Sequence, residues 1–250
     1  MTNILITGAN SGLGKAIAID YADKGVNLYL IARDMQRLEK VAKICCEKGA
    51  NVEIKQLNVI DRDKTREYFY SLKDITFDIV FANAGVSGGT AGGFLESFEN
   101  VYKIFDTNIF GVVNTIIPLL PNMVKNKHGR IVLISSMASF RGMPTAPAYS
   151  ASKACVRYYG EALNNYLREF NINVNVVCPG FIKTNMTAVN EFPMPFMMTP
   201  EYAVKKIKQG IAKNKKFIIF PKILYFAIKL LNIVTFGHND WFYCRLPKKK

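Results

Sequence analysis

In Tyr149-Ser150-Ala151-Ser152-Lys153 a phenol and an ammonium stand four residues apart, and on a helix that spacing puts both on one face. A phenol with a pKa of ~10 is a poor acid–base group at neutral pH. A neighbouring ammonium, or the positive ring of an oxidised nicotinamide, favours the phenolate and lowers that value. Such a pair suits general acid–base work. The spacing alone is not selective, because Tyr202/Lys206 and Tyr225/Lys229 repeat it.

A second stretch points to phosphate. Thr7-Gly8-Ala9-Asn10-Ser11-Gly12-Leu13-Gly14 follows an apolar run and precedes the helical pattern KAIAIDYADKG. Glycines let a backbone turn tightly and approach a pyrophosphate, and the helix behind them offers free N–H groups and its positive dipole end. The spacing is GxxxGxG, and its strand–turn–helix setting predicts a dinucleotide site. The second apolar run ends at Ala32-Arg33. An acid at that place holds the 2′-hydroxyl of NAD, whereas NADP needs positive charge near its 2′-phosphate. Ala32 stands where the acid would be and Arg33 follows, so NADP(H) is favoured over NAD(H). Asp34 weighs against this, and Arg33 can equally be a surface arginine at a helix start.

The elements that must carry these residues alternate steadily. Strand-like runs occupy 3–7, 26–32, 51–57, 78–82, 130–135, 173–178 and 216–220, with helical stretches at 12–24, 34–48, 101–127 and 149–170. Strands alternating with helices form βαβ units, hence a parallel sheet covered on both faces. The expected architecture is α/β: a doubly wound, mainly parallel, seven-stranded sheet in a single domain. Residues 1–220 form its catalytic body, and 221–250 a basic, apolar C-terminal extension.

Composition excludes several other classes. The five cysteines, Cys45, Cys46, Cys155, Cys178 and Cys244, show no CxxC spacing, and the histidines are His128 and His238 alone. Neither a disulfide framework nor a metal centre is expected. No signal-peptide pattern precedes the first strand, and a cytoplasmic protein is expected. From Ala203 onward twelve Lys/Arg face Asp240 alone, a net +11 of the chain's +14. A nucleic-acid binder would spread its basic residues along a face, so no nucleic-acid partner is expected.

With these pieces in place the chain resembles a short-chain dehydrogenase/reductase over about residues 3 to 185. TGANSGLG resembles that family's cofactor loop and Asn83-Ala84-Gly85 its NAG motif. IVLISSMAS with YSASK resembles its catalytic segment, and Pro179-Gly180-Phe181-Ile182-Lys183-Thr184 its PGxxxT loop. The family's catalytic serine precedes its tyrosine by about a dozen residues. Ser136 stands thirteen before Tyr149, while the same step from Tyr202 and Tyr225 meets Val189 and Ala212. The resemblance implies that Tyr149 is the general acid–base, that Lys153 holds the nicotinamide ribose and supports the phenolate, and that Ser136 donates to the substrate oxygen. It implies that Asn108 holds a proton-relay water near the lysine, and that Thr184 and the Ile182 backbone clamp the ring carboxamide. Gly8, Asn10, Ser11, Gly12, Leu13, Gly14, Asn83, Ala84, Gly85, Pro179 and Gly180 would complete the cofactor site. Where the family often has Asp-Val after the third strand, this chain has Asn58-Val59. An Asn oxygen can still accept from the adenine amino group; Asp61 could fill in, or Asn58 could be a turn residue.

Two other readings compete. Gly85-Val86-Ser87-Gly88-Gly89 matches the GxSxG elbow of hydrolases, but a flexible GGTAGG follows where a helix is required. A catalytically inactive NADP-binding sensor or scaffold is the alternative reading, against which the complete Asn-Ser-Tyr-Lys set argues. The loop 184–198, rich in Met and Phe, suggests a hydrophobic ketone or alcohol, although those side chains could simply pack on the core. A homodimer through the helices near 101–127 and 149–170 is implied by the family.

Finally, KKFIIFPKILYFAIKLLNIV (215–234) divides at Pro221 into a last strand and a largely apolar stretch of thirteen residues, too few for a bilayer that needs about 20. Lys222, Tyr225, Lys229 and Asn232 fall on one helical face. With Trp241, Phe242, Tyr243 and the terminal lysines they suggest peripheral membrane contact through 222–250, at the inner face of a membrane. Burial against a partner subunit or over the active site is the competing expectation.

Overall fold

In β1 (Thr2–Thr7) Ile4 and Ile6 face one side and Leu5 the other, and all three are buried. A strand apolar on both faces belongs inside a sheet covered twice. The structure, a computed structural model, describes residues 1–90, 95–190 and 192–234. β2 (Val26–Ala32), β3 (Asn51–Gln56), β4 (Ile79–Ala82), β5 (Arg130–Ile134), β6 (Asn173–Pro179) and β7 (Phe217–Phe220) join β1 in one sheet. The order is β3-β2-β1-β4-β5-β6-β7, and every pairing is parallel.

One face carries α1 (Gly12–Tyr21), α2 (Met35–Glu47) and α6 (Pro200–Ala212). Leu13, Ile17, Leu38, Val41, Val204 and Ile207 meet Ile4 and Ile6 there. The other carries α3 (Arg62–Ser71), α4 (Phe98–Asn126) and α5 (Pro147–Leu167), whose Phe69, Val112, Ile116, Val156 and Leu163 pack with Leu5. Each such fully buried aliphatic side chain contributes about 1.5–3 kcal/mol.

The helices start where local chemistry allows. Asp34 caps α2, Asp61 caps α3 and Thr199 caps α6 through side-chain oxygens that accept N–H groups. The start of α5 is held by Glu96, whose Oε2 accepts the Ala148 N–H at 2.8 Å. Within α4, Asp106–Phe110 form one π-helical turn. By length and composition α4 could cross a membrane, but its Val112, Ile116, Leu119 and Met123 are buried in the core against the sheet.

The helical expectations shift by no more than three residues at any end, and α3 and α6 fall outside them. The last segment is α7 (Lys222–Val234). Its expected polar face does not turn to solvent as a unit. Tyr225 and Asn232 are half-buried against the protein, while Lys222 and Lys229 stay exposed. The residues expected beyond it, Trp241 to Tyr243 and the terminal lysines, lie outside the described residues.

Candidate active site

Between β1 and β4 the chain order reverses, and in open parallel sheets ligands lodge at the carboxyl ends of the strands at such a point. A cleft of about 620 Å³ opens there. Gly8, Asn10, Ser11, Gly12, Leu13 and Gly14 form one wall and Asn83, Ala84 and Gly85 the wall beside it. Thr7 ties the two together: its hydroxyl accepts the N–H groups of Asn83 and Ala84, each at 3.1 Å. In return Asn83 donates to the Thr7 carbonyl at 2.9 Å.

The glycines are required by this approach. Gly8 holds φ +68°, and a Cβ on Gly14 would collide with the Gly8 carbonyl and the Asn83 amide. Ser11 occupies the N-cap of α1, but its side chain caps nothing. The first N–H groups of α1 thus face the cleft without a protein partner from that residue, a setting suited to a phosphate. A Cβ on Gly12 would meet the Thr184 methyl at 3.3 Å, so the loop after β6 reaches back to the glycine turn. Pro179, Gly180, Ile182 and Thr184 all line the cleft.

At the end near β2 and β3 the lining residues are Arg33, Asp34, Arg37, Asn58 and Val59. Asp34 pairs with Arg37 at 3.2 Å. Asn58 makes only a marginal turn contact, its Oδ1 lying 3.5 Å from the Ile60 nitrogen, so that oxygen remains available to a ligand. Asp61 cannot fill in for it: it does not line the cleft, and its carboxylate is committed to the Lys64 N–H and ammonium at the start of α3.

At the other end Ser136, Tyr149 and Lys153 converge. The Ala138 N–H donates to Ser136 Oγ at 3.1 Å, which leaves the hydroxyl proton to point elsewhere. Lys153 is buried; its Nζ donates to the Ile134 carbonyl at 2.9 Å and lies 5.8 Å from the centre of the Tyr149 ring. Burial pushes the Tyr149 phenol above its ordinary range, while a hydrogen bond with Ser136 acts in the opposite direction. Burial also pulls the Lys153 ammonium down to about 8, an effect that Cys178 opposes. Both groups are therefore biased toward their neutral forms. A phenol, a hydroxyl and an amine so arranged can hold and pass a proton at one oxygen atom.

Asn108 does not line the cleft. It is fully buried on the π-helical turn of α4. Its Oδ1 accepts the Val86 N–H at 2.8 Å, and its Nδ2 donates to the Val86 carbonyl and to Ser152 Oγ, each at 3.0 Å. The Gly85 position lies between it and Lys153: a Cβ there would be 3.1 Å from Asn108 Oδ1 and 3.4 Å from Lys153 Nζ.

These features decide the family. Residues 2–192 match the short chain dehydrogenase family. The chain belongs to it. An oxidoreductase of Myxococcus xanthus is 39% identical over 219 residues, which cover 87% of this short-chain dehydrogenase and 86% of the relative. Epidermal retinol dehydrogenase 2 of Mus musculus is 31% identical over 241 residues, covering 92% and 77%. A short-chain dehydrogenase from Sphingobium yanoikuyae in complex with NADPH superposes with a TM-score of 0.82 at 25% identity, covering 100% of this chain and 98% of the other. This short-chain dehydrogenase is an oxidoreductase that uses a nicotinamide cofactor, and the glycine cradle and the open start of α1 fit one.

The family setting also removes the hydrolase alternative. Ser87 lies in irregular chain between β4 and α4, with no strand-to-helix elbow. His128 pairs with Asp78 at 2.8 Å, just before β4 begins, at the end of the strands opposite the cleft, and His238 lies outside the described residues. Sequence reasoning missed Thr7 as a tie, Glu96 as the cap of the tyrosine's helix and Arg37 as a lining residue, whereas Asn185 and Met186 belong to the 184–198 loop expected at the substrate. A hydrogen bond across 76 residues leaves no local pattern to read.

Proposed function

We propose that the chain is an NADP(H)-linked reductase of lipophilic ketones or aldehydes, able to run the reverse alcohol oxidation. The observation that carries this is the convergence of Ser136, Tyr149 and Lys153 at the end of a cleft whose other end fits a dinucleotide. The glycine turn, Asn83 to Gly85 and the loop from Pro179 to Thr184 would hold the dinucleotide, which would supply the hydride for the carbonyl carbon. The chain supplies the rest. Ser136, its oxygen already accepting from Ala138, gives its proton to a hydrogen bond with the substrate oxygen. Tyr149 transfers the proton that completes the alcohol, and its raised pKa keeps that proton on at neutral pH. Lys153 binds the ribose and stabilises the phenolate left behind.

Asn108 anchors this end by fixing Val86 and Ser152, and holds the relay water beside Lys153. Both its donor hydrogens are committed, so its side chain can accept from such a water only through the second lone pair of Oδ1. Arg33 is the cation for a 2′-phosphate, with Arg37 behind it restrained by Asp34. Two features support a lipophilic substrate. Met198 packs into the core, but Met186, Val189, Phe196 and Met197 of the same loop remain exposed, and Met186 lines the cleft. A relative, epidermal retinol dehydrogenase 2, is named for a lipophilic alcohol.

Phe98, Tyr102 and Phe110 on α4 and Tyr158 and Tyr166 on α5 are exposed, which supports a homodimer through these helices. The enzyme works in the cytoplasm, against the inner face of a membrane. The test is turnover with NADPH and NADH against carbonyls graded from short sugars to long-chain ketones, with retinol for the reverse reaction. The proposal expects kcat/KM to rise with lipophilicity and NADPH to be preferred. Activity confined to sugars would reject the substrate class, and binding of NADPH without turnover of any carbonyl would favour a scaffold.

A further inference from the structure

Helix α7 sits on the protein with an apolar face outward. Leu224, Tyr225, Ile228 and Asn232 are its half-buried residues. Asn232 Oδ1 accepts from Arg141 Nη1 at 2.9 Å, its Nδ2 donates to the Phe140 carbonyl at 2.9 Å, and the Tyr225 ring meets Phe140 edge-on at 4.9 Å. At its first turn, a Cβ on Gly180 would meet Pro221 at 3.0 Å and Leu224 at 3.4 Å. So α7 bridges the turn that begins at Ser136 and the Gly180 loop, and both line the cleft.

The opposite face carries Ile223, Phe226, Leu230 and Ile233, exposed by 60%, 62%, 62% and 74%. Their spacing of 3, 4 and 3 makes one stripe, and exposed Lys222 and Lys229 flank it. Large apolar side chains at that density mark a surface meant to be covered. A second copy is a poor occupant, because it would bring two lysine-flanked stripes together in a region of net +11. An anionic bilayer surface matches both the apolar stripe and its charge. At about 1.5 Å per residue the helix spans about 20 Å, short of the roughly 30 Å hydrocarbon core, so it lies in the surface plane. The sequence that follows adds Trp241, Phe242, Tyr243, Arg245 and Lys248 to Lys250, residue types that favour the headgroup layer.

We propose that α7 is an interfacial helix for anionic lipid, and that its docking on the Ser136 and Gly180 loops sets the cleft mouth against the membrane. Substrate dissolved in the lipid then enters without crossing water. The delivery half rests on the lipophilic-carbonyl reading above, whereas lipid binding does not, and the test separates them.

Full-length protein is floated with vesicles of phosphatidylcholine alone and with added phosphatidylglycerol, alongside Phe226→Ser/Leu230→Ser and Lys222→Glu/Lys229→Glu. Wild type should float with anionic vesicles and not with neutral ones. Both variants should lose at least about tenfold in partition, and salt near 1 M, where the Debye length is about 3 Å, should release the wild type. Melting temperature and kcat/KM for a short water-soluble carbonyl should stay within error in both variants, since neither touches the cleft. KM for a vesicle-borne ketone should rise in step with lost binding. Equal flotation of wild type and both variants would overturn the lipid surface, as would variants that change only the oligomeric state. Lost flotation with an unchanged KM for vesicle-borne ketone would overturn delivery while leaving lipid binding in place.

Discussion

Replacing Lys153 by methionine removes a charge that is 95% shielded from water, since the residue is 5% exposed. Burial depresses this ammonium from 10.5 to about 8. At about 1.4 kcal/mol per unit, holding it charged in the folded chain costs about 3 kcal/mol. The sign follows from proton counting. Below pH 8 both folded and unfolded chains carry the proton, and the cost is complete. Between about 8 and 10.5 the unfolded chain holds a proton that the folded one has lost, so the folded state gains stability as pH rises. Methionine has no such dependence. The difference in unfolding free energy, wild type minus Lys153→Met, should therefore rise by about 2–3 kcal/mol from pH 7 to pH 10 in urea titrations. Tyr149 and Cys178, both raised by burial, are present in both proteins and largely cancel. The variant also strands the Ile134 carbonyl that Lys153 contacts, which shifts the difference by a constant of about 1–3 kcal/mol but not its slope. A difference that stays flat across this range would refute a buried, destabilised ammonium at this position.

Other perturbations reach the rest of the site. Arg33→Ala should raise KM for NADPH by about 10- to 100-fold, the loss of one or two charge-assisted hydrogen bonds, and leave NADH nearly unchanged in steady-state kinetics. Asp34→Asn, which releases Arg37, should shift the same ratio toward NADPH. Gly14→Ala forces a Cβ onto the Gly8 carbonyl; it should cost about 1–3 kcal/mol in melts and weaken cofactor binding by calorimetry. Asn108→Ala removes three buried hydrogen bonds and should destabilise by about 3 kcal/mol. Because the Tyr149 pKa is raised, alcohol oxidation should climb with pH above neutrality, while carbonyl reduction persists until the phenol ionises.

Much of the fold was legible because β1, β4 and β5 carry apolar runs separated by helical lengths, a pattern that fits a doubly covered parallel sheet. The cleft residues were legible because a glycine turn, a tyrosine–lysine pair and PGxxxT each carry short local spacings. All the cofactor positions expected from them line one cleft. Helix α3 was missed because RDKTREYFYS is so polar that only Thr65 and Phe69 are buried; its cap at Asp61 was the readable signal. The outward face of α7 could not be read from periodicity, which separates two faces without saying which one the protein covers. That choice lies in Phe140 and Arg141, about ninety residues away. Thr7 and Glu96 act through similarly distant partners.

The proposed function stands or falls with Tyr149 as the group that moves the proton. The most direct measurement is single-turnover oxidation of bound NADPH by a lipophilic ketone, followed by absorbance in wild type and Tyr149→Phe. Turnover should be rapid in the wild type and slower by about 10²- to 10⁴-fold in the variant, with the same NADPH affinity in both. Equal rates in the two proteins would contradict it.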